Sequence, residues 1–64
     1  MLHSDAAIWA DLSQRIDALA EVIGREPDAA DVSERITETS EALDVKRARV
    51  LRIYHERTAM TMGG

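Results

Sequence analysis

Lys46, Arg47, Arg49, Arg52 and Arg57 crowd into one stretch of a 64-residue chain, with Tyr54 and His55 set among them. Cations at this density can grip phosphates, and the two rings can stack on bases. The rest of the chain has the opposite character. Residues 1–45 hold eleven acids against three bases, a net of −8, whereas residues 46–64 net +4. A basic end on an acidic body can contact nucleic acid, or the acidic body of another copy. The overall charge of −4 works against tight phosphate binding.

Other chemistry is sparsely provided for. His3 and His55 are the only histidines, and there is no His-x-x-x-His, no Glu-x-x-His and no glycine-rich phosphate loop. Glu34, Glu38 and Glu41 follow helical spacing and could hold a hard cation, but a solvated acidic face explains the same pattern. Ser40, His55 and the acids are the residue types of a nucleophilic triad, without a rigid pocket to align them. No catalytic residue, cofactor or metal site is therefore expected. The chain has no cysteine, which excludes disulfides and thiolate metal sites. Its longest apolar run, Ala6 to Ala10, is far short of a membrane span. No signal-peptide pattern opens the sequence, so a cytoplasmic location is the expectation.

The elements that must position these residues read as helices. Ser4 is a good N-cap and Asp5 suits the positive end of a helix dipole. From there Trp9, Leu12, Ile16, Leu19 and Ile23 recur in alternating steps of three and four, a heptad seam on a first helix over about 4–24. Asp11 with Arg15 and Glu21 with Arg25 form acid-before-base pairs on its outside. Gly24 stops this helix and Pro27 lies just beyond, which predicts a turn over 24–28. Either Pro27 in the first turn or Asp28 as cap starts the next helix.

No proline or glycine then appears before Gly63, so a single second helix is predicted over about 28–60, with a flexible tail at 61–64. Its seam reads Ala29, Val32, Ile36, Thr39, Leu43, Lys46, Val50, Ile53, Arg57 and Met60. Thr39 and Lys46 are its weak, polar positions. In this reading the arginines lie toward a helix C-terminus, where cations suit the dipole. The expected fold is a single all-α domain, an antiparallel two-helix hairpin with a longer second helix. Ile8, Val22, Leu51 and Tyr54 fall beside the seams, and two helices cannot bury both. So short a chain also buries little apolar surface by itself. A second copy would supply the cover, giving a homodimeric four-helix bundle. Its core would be Trp9, Leu12, Ile16, Leu19, Ile23, Val32, Ile36, Leu43, Val50 and Ile53. Lys46, Arg47, Arg49, Leu51, Arg52, Tyr54 and Arg57 would face a partner protein or nucleic acid.

A second arrangement rests on the same residues. Ser40-Glu41-Ala42-Leu43-Asp44-Val45, followed by Val50, Arg52 and Ile53, resembles the helix-turn-helix of bacterial repressors. That pattern has a small residue, then Leu, Gly and Val at the turn, and a Val five residues on. Leu43, Val45, Val50 and Ile53 match its core positions over about twenty residues. Asp44 stands where it has glycine, and Thr39 where a large aliphatic is usual. The resemblance implies a three-helix DNA-binding domain with Arg47 and Arg49 on the recognition helix. Ser40-Glu41-Ala42-Leu43-Asp44 also resembles, in its Ser, Leu and Asp, the signature of helical-hairpin phosphatases of sporulation response regulators; no catalytic role is carried over from five residues. The hairpin requires one unbroken helix through Asp44, and the DNA-binding domain requires a break there. As a function, the first implies a non-catalytic, self-associating regulatory module and the second a nucleic-acid-binding regulator.

Overall fold

The computed structural model describes residues 3–62, with side-chain surroundings defined through Ala59. The described chain is all helical: α1 (Asp5–Ile23), α2 (Ala29–Leu43) and α3 (Arg47–Met62). Both ends of α1 form as the sequence predicts. Ser4 Oγ accepts from the Ala7 N–H at 3.1 Å. Gly24 takes the left-handed conformation at φ 70°, and its N–H closes on the Ala20 carbonyl. Asp28, rather than Pro27, starts α2. Its carboxylate accepts from the Asp31 N–H at 2.9 Å while the Asp31 carboxylate accepts from the Asp28 N–H at 3.2 Å, a reciprocal cap.

The single second helix over 28–60 is corrected. It breaks at Asp44, which adopts φ 54° and ψ 49°. Asp is one of the few side chains that tolerates this region, so the glycine of the repressor pattern is replaced without losing its conformation. Ser40 then staples the turn. Its carbonyl accepts from the Val45 N–H at 3.0 Å, and its hydroxyl donates to the Val45 carbonyl at 2.6 Å. Thr37 to Ser40 are indifferent helix formers, which leaves little propensity to resist the break. The expected tail at 61–64 is also shortened, because α3 runs to Met62; Gly63 and Gly64 lie outside the described residues.

Breaking the second helix changes what α1 must bury. Packed against both α2 and α3, it needs a wider apolar face than a single seam provides. Ile8, beside the predicted seam, is fully buried together with Leu12, while Trp9 and Ile16 are half-covered. Val32 and Ile36 of α2 and Val50 and Ile53 of α3 complete the core. Leu43, Val45, Leu51 and Tyr54 pack around it. Of the flanks that asked for a second copy, Ile8 is buried and Leu51 and Tyr54 pack around the core within one chain, whereas Val22 stays exposed. No described helix is long and apolar enough to cross a membrane.

Candidate functional site

The basic segment leads into the start of α3, with Lys46 at the turn and Arg47, Arg49, Arg52 and Arg57 along the helix. Arg47 and Arg49 occupy its first turn, which carries no acid. Cations there oppose the positive end of the helix dipole and need other partners. Arg47 reaches back to α2, donating through Nε to Thr37 Oγ1 at 2.9 Å and through Nη2 to Ser33 Oγ at 2.6 Å. Arg49 reaches α1, donating to the His3 carbonyl at 2.8 Å and the Asp5 carboxylate at 2.9 Å. His3 is therefore docked. Arg52 approaches the same carboxylate at 3.8 Å and Glu56 at 4.0 Å. The Arg49 hydrogen bond, reinforced by the charges of Arg49, Arg52 and Arg57, holds the Asp5 carboxyl below its ordinary value of 3.8. Much of the basic stretch thus joins helices within one molecule. Lys46 stands exposed at the turn.

The remaining candidates are drawn into structure. Glu34 and Glu38 pair with Arg35 at 3.3 and 2.9 Å, and Glu38 lies 3.6 Å from Arg15. Two of the three acids of the ladder on α2 thereby join an ion-pair network, and Glu41 lies exposed outside it. Ser40 is committed to its turn, and His55 lies about 12 Å further along α3 at 1.5 Å per residue, edge-on to Tyr54.

A polar link that the heptad reading misses crosses from α1 to α2. Thr39 is completely buried and donates to Asp11 Oδ2 at 2.8 Å. The same oxygen accepts from Arg15 Nε at 2.8 Å. Burial alone would push the Asp11 carboxyl up, but the Arg15 and Thr39 hydrogen bonds outweigh it and hold it low. Asp11 thus serves the interior as well as the outer pair with Arg15. The signal was present: a threonine in seam register between Ile36 and Leu43 needs a partner for its hydroxyl.

Among the described residues, several surfaces stay partly uncovered. Of the predicted oligomer core, Leu12, Val32, Ile36, Val50 and Ile53 are enclosed by the chain's own helices and Leu43 packs on them. Beyond Leu12, α1 continues for about 16 Å without another fully buried residue. Leu19 and Ile23 are half-covered, outside the core cluster, and Val22 is 83% exposed. Leu19 and Val22 line a shallow cleft with Ala18, Arg15, Arg35 and Glu38. On another face, a groove of about 210 Å³ runs between α1, the first connector, α2 and α3. Trp9, Ser13, Ile16, Asp17, Glu26, Pro27, Val32, Tyr54 and Thr58 line it. Tyr54 also borders a second groove with Leu51, Val32 and Arg47.

Comparison with known proteins finds no matching family model, no matching curated protein and no matching solved structure.

Proposed function

We propose that this chain is a non-catalytic helical interaction module that pairs with a second copy through the distal half of α1. One observation carries the reading: α1 outruns its core, leaving Leu19 and Ile23 only half-covered and Val22 exposed. The cleft beside Leu19 and Val22 holds both signs of charge, with Arg15 and Arg35 beside Glu38. A patch of mixed sign can match itself across a two-fold axis, as an isologous contact requires. The interface so formed is smaller than the four-helix bundle of the hairpin, because most seam residues serve one chain's interior.

A nucleic-acid-binding regulator is the second reading. Two observations favour it: the break at Asp44, and a first turn of α3 that carries Arg47 and Arg49 without an acid. Against it stand the internal ties of Arg47, Arg49 and Arg52, and the acids of α2.

Light scattering coupled to size exclusion, run over a range of loading concentrations, separates these. The expected result is a dimer that dissociates on dilution, and a Val22→Asp variant that is monomeric yet as helical as the parent by circular dichroism. A parent that stays monomeric at every concentration overturns the pairing. A complex with duplex DNA that weakens steeply with salt would favour the second reading.

A further inference from the structure

The groove between Trp9 and Tyr54 has a chemistry that the self-association does not use. Arg47, Arg49 and Arg52 of α3 are tied to α2 and to the start of α1, and the acids that remain concentrate elsewhere. From Asp17 to Asp31 the chain carries five acids against Arg25 alone. Arg25 is tied to the Asp31 carboxylate at 3.6 Å and to the Glu26 carbonyl at 3.1 Å. Among the described residues, the carboxylates of Asp17 and Glu26 have no hydrogen-bond or ion-pair partner, and both residues line this groove.

Aromatic faces and carboxylates select the same ligand charge. The ring quadrupoles of tryptophan and tyrosine attract cations, and two unpaired carboxylates add to the field. Ile16 and Pro27 supply apolar wall for an aliphatic stem. At about 210 Å³ the groove is smaller than the 300–1,000 Å³ of a cofactor pocket, and takes one long side chain. Arginine fits best, because a planar guanidinium stacks on rings and pairs with carboxylates at once. From this juxtaposition we infer that the groove is a docking site for an arginine side chain presented by an extended segment of a partner protein. It is separate from the α1 cleft assigned to self-association, and it extends the module's function to a second protein.

The test uses the Val22→Asp variant, so that failure of self-association leaves it unaffected. The probe is acetyl-Leu-Ala-Arg-Ala-Leu-amide, compared with the same peptide carrying neutral citrulline in place of arginine. Trp9 is the only tryptophan, so its fluorescence and its indole N–H resonance report on the groove directly. The expected result is a saturable change with the arginine peptide, and binding about tenfold weaker for citrulline. Asp17→Asn combined with Glu26→Gln should weaken arginine binding by about the same factor, and as exposed substitutions they should leave helicity unchanged. Equal responses to the two peptides, or no saturable response at Trp9, would overturn the inference.

Discussion

At the scale of single residues, Thr39 shows how a weak place in a pattern becomes a fixed point in a fold. Its hydroxyl is completely buried and would be costly without a partner, and the Asp11 carboxylate accepts its hydrogen bond. Thr39→Val keeps the shape and exchanges a hydroxyl for a methyl. The lost hydrogen bond to a charged acceptor exceeds the gain from the methyl, so a net destabilisation of about 1 kcal/mol is expected. In a domain this small that lowers the melting temperature by roughly 4–8 °C. Thr39→Ser should keep the bond and lose packing instead. Carbon NMR of the Asp11 carboxyl distinguishes the two: its pKa should rise in the valine variant and stay low in the serine variant. A valine variant at least as stable as the parent would contradict this account.

At the scale of elements, the turn at Asp44 decides between three short helices and two longer ones. Asp44→Gly removes the cost of a side chain in the left-handed region and should stabilise the domain by about 0.5–1 kcal/mol. Asp44→Ala should do the reverse, because alanine favours continuing α2 into α3. Thermal melts read both signs. Light scattering on the alanine variant should also show more dimer, since an unbroken second helix uncovers the seam that α3 otherwise buries. The elements themselves were legible in local chemistry: Ser4, Gly24 and Asp28 set their boundaries through caps that need no tertiary context. The break was legible only in part, as a likeness and in the weak helix propensity of Thr37 to Ser40, for Asp44 looks like any exposed acid until its φ is known. The heptad seam on α1 misled for a related reason. A strict step of three and four describes packing on one partner, and α1 packs on two, which turns Ile8 inward and leaves Leu19, Val22 and Ile23 outside. Of the candidate site, the α1 cleft could be anticipated from those greasy residues. The Trp9–Tyr54 groove could not, because it joins positions 45 residues apart that meet only when the second helix folds back.

At the scale of the whole molecule, charge acts as internal mortar. The structure measures 35 × 28 × 16 Å, a flat body with a core of six aliphatic side chains in which polar links between helices matter more than in a thicker domain. Asp5 fastens α1 to α3, Asp11 fastens α1 to α2, and Asp28 caps α2. All three carboxyls are held below 3.8: Asp5 first by the Arg49 hydrogen bond, Asp11 by Arg15 and Thr39 against its burial, and Asp28 first by the Asp31 backbone N–H. A carboxyl lowered in this way releases its proton more readily when folded than when unfolded. Between the two values the unfolded chain binds more protons, so stability must fall with falling pH. The contribution is complete above the unfolded value and is lost as pH drops through the lowered ones. The melting temperature should therefore be flat above about pH 5 and decline progressively below about pH 4. Added salt should flatten the part of this decline that comes from the exposed Asp5–Arg49 pair. Asp28→Asn keeps a capping oxygen and removes one of the three titrating groups, so its acid decline should be shallower than the parent's. An unchanged slope in that variant, or a melting temperature that rises on acidification from pH 5 to 3, would show that these carboxylates do not hold the helices together.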